Sequence, residues 1–284
     1  MTPIARIRDT LPAFEAYARK AGLESPMRRE LLWKDSYRAA NVDVFKGFDD
    51  ATLGATDGMS ALVRDLSAVR ARVQEAAPVV TRMIEEVDPK LGELLGLPPE
   101  PSPIHVLMVG AFTTNSAVGR LHDDVAVFHC LEWFQSPEGT KVLIAHEGSH
   151  GWHEIALERR DEQAPVDDMA WMVFTEGMAT QVSRAAVPGM EEIDYFWYGH
   201  PEAQGWLPWC QQHLQELGKH VRASLDIPEA IDTFFGGGLV DGKWRVGYYL
   251  ADSVVGGLGR TLPELAAMSV DDARLAVRDA LARF

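Results

Sequence analysis

The stretch VLIAHEGSHGWHEIAL, residues 142–157, decides how this chain is read. It holds His146, Glu147 and His150 in a His-Glu-x-x-His pattern. In a helix, residues four apart share one face, so both imidazoles address one point, as a metal ion needs. Glu147 lies one position further round, angled toward that point but poorly placed to be a third ligand. That suits a carboxylate that takes a proton from activated water. The run Val142-Leu143-Ile144-Ala145 makes the helix a buried one, where two polar histidines need a reason to be present. The competing reading is a pair of histidines satisfied by hydrogen bonds. Gly148 and Gly151 each cost a helix interior about 1 kcal/mol against alanine. Either something must approach this helix closely, or the helix frays here.

The third ligand sets the class. Metzincins place a glycine three residues after the second histidine and a further histidine three beyond it. Those positions hold His153 and Ala156. A glutamate from a second helix is the alternative. Residues 158–167, ERRDEQAPVD, are polar and turn-like, and a second helix follows. In WMVFTEGMAT that helix places Glu176 among Met172, Phe174, Met178 and Ala179, where a charge is costly unless paired or metal-bound. Glu162, Asp167 and Asp168 are nearer in sequence but sit in a loop or cap. Thr180, one turn beyond Glu176, is a candidate to support the ligand by a hydrogen bond.

Working outward, residues 1–97 read as helices. They comprise IARIRDTLPAFEAYARKAG, a Ser25-capped segment from Pro26, a helix stopping before Pro78, and another after it. LGLPPEPSP (95–103) is a proline-rich boundary. It divides a helical N-terminal region, 1–97, from a second domain, 104–284. There IHVLMVGAF and DVAVFHCLEWF read as strands, separated by the turn-rich TTNSAVGRLHDD. Helices then dominate, capped at Ser136–Pro137 and at Asp167 or Asp168. They end with WRVGYYLADSVVGGL, TLPELAAM and VDDARLAVRDALARF. The expected class is α+β. The strand VLMVGAF is a candidate to pair with an extended peptide by edge addition.

Composition sets the outer bounds. With 284 residues, 46% hydrophobic and 24% charged, the chain can bury a sizeable core. A formal net charge of −15 argues against nucleic acid and anionic membrane as partners, whose phosphates would be repelled. Cys130 and Cys210 form no CxxC pair and read as core residues. No signal-peptide core or 18-residue apolar run is present, so a cytoplasmic location is expected. His153 lies near the face of His146, a site for substrate contact or a surface residue. His105, His122 and His129 have no partner spacing.

HEGSHGW followed by WMVFTEGMAT resembles the gluzincin zinc metallopeptidases. In these, His-Glu-x-x-His precedes a helix with a Glu-Gly-x-Ala ligand motif. Trp152, two after the second histidine, and Trp171, five before the glutamate, resemble the tryptophans of M1-type aminopeptidases. The spacing from His150 to Glu176 is longer than in those enzymes, and VLMVGAFTTN carries no Gly-x-Met-Glu-Asn signature. A closer likeness is to an uncharacterised group of predicted bacterial zinc-dependent proteases, in which a GYxxG-like helix follows, as VGYYLADSVV does here. The likeness is at the level of motifs over roughly residues 104–260. It implies a zincin-like catalytic domain, zinc (Zn2+) held by His146, His150 and Glu176, and Glu147 as general base and acid. It also points to Tyr248, directly after Gly247, as donor to the oxyanion of the reaction, with Tyr249 as second choice. The expected function is zinc-dependent hydrolysis of peptide bonds in a peptide or protein substrate. The alternatives are a non-catalytic zinc-binding or interaction protein on the same scaffold, and a small-amide hydrolase.

Overall fold

Thr10 and Pro12 divide the first expected helix in two. In the computed structural model, which describes residues 5–52, 58–200 and 204–284, Arg6–Asp9 is a strand, β1. The helix begins only at Leu11 (α1, Leu11–Ala21). The Thr10 hydroxyl donates to the Leu107 carbonyl at 2.8 Å, and its N–H donates to the same oxygen at 3.1 Å. The residue ahead of the helix is thus held to a neighbouring strand, and proline in the first turn favours starting the helix there.

The helices that follow are α2 (Pro26–Leu32), which continues as a π-helical turn over Trp33–Arg38, then α3 (Val42–Ala51), α4 (Met59–Arg64) and α5 (Leu66–Leu94). The expected stop before Pro78 does not occur: α5 runs through Pro78 and Pro89. An interior proline costs roughly 3 kcal/mol. Val73, Ala76, Val80, Ile84, Val87 and Leu91 are buried at helical spacing along one stripe. That stripe supplies more burial than the prolines cost.

The sheet is small and mixed, in the order β1-β2-β4-β3, with β2 at Ile104–Met108, β3 at Ser116–Leu121 and β4 at Asp124–Cys130. β1 and β4 run parallel to β2, and β3 runs antiparallel to β4. Two expected strands are present. The third, β3, lies inside the segment expected to be turn, and forms a hairpin through His122 and Asp123, with His122 left-handed at φ 56°. Edge addition of a peptide to β2 is ruled out along residues 104–107. Both of its sides are already paired, so no free edge is left there. On one face of the sheet, a Cβ at Gly47 of α3 would lie 3.2 Å from Phe128, and Phe48 meets Phe128 edge-on.

The other face carries a buried polar chain. His105 on β2 is in register with Val127 of β4, two residues before His129 on the same face, and the planes of the two imidazoles are parallel within 6°. His105 Nδ1 lies 2.9 Å from His129 Nε2, and His105 Nε2 lies 3.1 Å from Asp88 Oδ1 of α5. One pair of tautomers satisfies both contacts: His129 Nε2–H donates to His105 Nδ1, and His105 Nε2–H donates to Asp88 Oδ1. Strand register and α5, not sequence spacing, make these histidines partners.

Burial, and then the neighbouring His105, hold the His129 imidazole well below its ordinary pKa of 6.5. The unfolded chain therefore binds this proton more readily. Stability from this group is complete above pH 6.5 and declines as pH falls below it, by at most about 1.4 kcal/mol per pH unit. Glu132 acts in the opposite sense. Burial lifts its carboxyl from 4.5 to about 7, so its contribution is complete at low pH and is lost between 4.5 and 7. We expect His129→Gln to lessen the acid-side loss in urea unfolding at pH 7.5, 6 and 5, and Glu132→Gln to deepen it. Identical slopes in all three proteins would refute this assignment.

The remaining helices are α6 (Pro137–Glu158), α7 (Met169–Ala186), α8 (Asp194–Trp197), α9 (Trp206–Ala223), α10 (Ala230–Phe235), α11 (Val246–Gly256), α12 (Leu262–Ala266) and α13 (Val270–Leu281). The class is therefore α+β. The chain forms two compact units. One is Met1–Pro89 with Pro99–Gly151, and the other is Lys90–Pro98 with Trp152–Phe284. The strands after the proline-rich segment group with the N-terminal helices, because β1 pairs with β2. Among the described residues no helix is long and apolar enough to cross a membrane.

Candidate metal centre

α6 is continuous from Pro137 to Glu158, so the motif glycines do not fray it. A Cβ on Gly151 would lie 2.8 Å from a methyl of Val127 and 3.1 Å from Pro103. Glycine is there because the helix lies directly on β4. Val142, Ile144 and Ala145 are buried, as expected, and His146 is buried with them. His150, one turn on, is half-buried, as is Glu147.

The two imidazoles turn their Nε2 atoms toward each other at 3.2 Å, with ring planes 79° apart. Two nitrogens bound at 2.0–2.1 Å around a tetrahedral ion stand about 3.3 Å apart. The pair thus has the spacing of a metal seat. Its geometry also permits a single hydrogen bond between the rings.

α7 begins where Asp168 caps it, its Oδ1 accepting the Trp171 N–H at 2.8 Å. Arg274 holds the other oxygen of Asp168 at 2.7 Å. Both oxygens of Asp168 are engaged in structure, and Glu162 pairs with Arg160 at 2.8 Å. Glu176 stands two turns into α7 and is half-buried. One ligand atom from each of His146, His150 and Glu176 lies within 4.8 Å of the other two, the one such group found among the described residues. Two imidazoles and a carboxylate are the donor set of a catalytic zinc site.

Gly177, next to Glu176, has a tertiary reason. A Cβ there would come 2.3 Å from the Ala251 carbonyl oxygen and 2.5 Å from Val255, so α11 lies against α7 at this point. Gln181 and Arg184, further along α7, bind the Asp252 carboxylate of α11 at 2.7 and 3.0 Å. Burial raises the Asp252 carboxyl and the Arg184 charge opposes the rise. This fixes the register of the helix that carries Tyr248 and Tyr249.

The two tyrosines differ. Tyr249 belongs to an aromatic group, 5.7 Å from Phe196 and 6.3 Å from Trp206. Tyr248 packs 5.4 Å from Phe235, with the Arg245 guanidinium 4.2 Å from its ring centre. Gly247 permits this, since a Cβ there would meet the Phe234 carbonyl at 2.8 Å.

Two expectations change. His153 is not a surface residue: it is buried and stacks on Trp171 at 5.4 Å. Its ring also lies 6.0 Å from that of Phe174. Thr180 donates to the backbone carbonyl of Glu176 at 2.9 Å, an ordinary one-turn bond within the helix, and not to its carboxylate. Glu132 escaped notice altogether. It is fully buried, and its Oε1 accepts the N–H groups of Gly110 and Phe112 at 2.8 and 2.9 Å, pinning the turn after β2 where Ala111 and Phe112 are left-handed. A lone glutamate between Leu131 and Trp133 was its only sequence signal. Cys130 is a core thiol, as expected. Burial, then the charges of Glu132 and Glu147, push its pKa well up, which keeps it inert. No known protein family, curated protein or solved structure matches this chain.

Proposed function

We propose that this protein is a zinc-dependent hydrolase of peptide bonds, of zincin-like, gluzincin type. The observation that carries the reading is the convergence of His146, His150 and Glu176, with the Nε2 spacing of the two histidines. Zinc in such a seat supplies Lewis acidity that polarises a carbonyl and acidifies water.

The protein's own groups have these tasks. His146 and His150 present neutral nitrogens from one helix face, and Glu176 contributes a single negative charge. Glu147, adjacent to His146, accepts a proton from the attacking water and passes it to the leaving amine. A purely structural site has no use for a carboxylate there, which favours catalysis over the interaction-protein alternative. Tyr248 donates a hydrogen bond to the oxyanion, since a phenol donates without carrying charge. The substrate is a peptide or protein.

Elemental analysis of protein never exposed to chelator should find about one zinc per chain, the stoichiometry of a single three-ligand site. Chelation should abolish cleavage in a peptide-library assay, and added zinc should restore it. Protein free of any bound transition metal would overturn the proposal.

A further inference from the structure

Arg245 and Tyr198 are both left-handed without being glycine, at φ 58° and 53°. Arg245 opens α11 and Tyr198 ends α8, and the two meet through their side chains. The Arg245 guanidinium lies 4.2 Å from the centre of the Tyr248 ring and 5.7 Å from that of Tyr198. Side chains other than glycine rarely adopt this backbone region, and where they do the surrounding structure enforces it.

The enforcing contacts are visible. The Trp206 indole N–H donates to the Trp244 carbonyl at 2.6 Å, tying down the residue before Arg245. Val240 and Lys243 close the preceding turn with paired backbone bonds at 3.0 and 2.9 Å. Gly247 lets the first turn of α11 seat on Phe234 and Phe235. The chain thus arrives at Arg245 already constrained, and the left-handed turn sends its side chain back over the residue three positions on.

We infer that Arg245 is a positioning residue that holds the Tyr248 ring, and so its phenol, in one orientation for the proposed hydrolysis. This rests on the reading of Tyr248 as oxyanion donor. A flat guanidinium stacks on an aromatic face and restrains it, a geometry that neither lysine nor an aliphatic chain reproduces. Tyr198 carries the same cation on its own ring and keeps the guanidinium from turning away. Tyr249 is packed on Phe196 and Trp206, and among the described residues no cation is placed over its ring.

The test uses the full chain grown with 3-fluorotyrosine, whose six tyrosines give six fluorine resonances. The Tyr248 signal is the one missing from Tyr248→Phe. Arg245→Met should shift that signal and leave signals elsewhere in place. In zinc-loaded protein it should lower kcat between about 10- and 100-fold with little change in KM, since a displaced group loses rate rather than binding. In a Tyr248→Phe background, itself slower by about 10²–10³, the same change should cost no more. Where Arg245→Met disturbs the other signals, Arg245→Lys takes its place. A Tyr248 resonance that does not move, or additive losses in the double variant, would overturn the inference. A wild-type protein that cleaves nothing would instead overturn the hydrolase reading beneath it.

Discussion

Glu147→Gln should keep its zinc and lose hydrolysis, by about 10²–10⁴-fold in kcat, the range contributed by a positioned proton carrier. The substitution is nearly isosteric. It leaves His146 and His150 on their helix face and removes only the capacity to accept a proton. Glu147 is half-buried beside a buried histidine, on a helix anchored to the sheet through Gly151, so its backbone has little freedom to adjust. Zinc content by elemental analysis and turnover on a cleaved peptide are measured on the same preparation. Loss of zinc would make Glu147 a ligand, and retained turnover would move the base elsewhere.

Glu176→Ala should weaken zinc binding by more than the 10–100-fold typical of residues that merely support a ligand. Asp168→Ala is the informative contrast, because both acids belong to α7. Asp168 caps the helix and pairs with Arg274. Its loss should lower stability by about 1 kcal/mol through the cap while leaving zinc affinity unchanged. Competition with a chromophoric chelator, run beside urea unfolding, separates the two effects. Equal loss of affinity in both variants would mean that Glu176 supplies no bond to the metal.

What could be read from the residues alone was local. α6, α7 and α11 carry their own helical period, and α7 its cap at Asp168, so these elements were legible. The four-residue spacing of His146 and His150 places both rings on one face whatever else the fold does. Glu176 was legible because a carboxylate among Met172, Phe174 and Met178 needs a partner.

The rest depended on residues far apart in sequence. Nothing near Pro78 indicates that α5 continues, because the stripe from Val73 to Leu91 outweighs the proline only once it is packed. β1 and β3 were missed because four to six residues of strand are defined by the neighbours that pair with them. The same pairing placed β2 inside the sheet and removed the free edge expected along it. His105, His129 and Asp88 have no common spacing, since register between β2 and β4 and the passage of α5 bring them together. Gly177 reads as part of a ligand motif, yet its lack of a side chain is required by the Ala251 carbonyl of α11. The sequence by itself determined that His146 and His150 share one helix face, with Glu147 beside them. Only the tertiary structure decided which helices and strands stand beside them, because hydrogen-bond register and close packing are properties of pairs of elements.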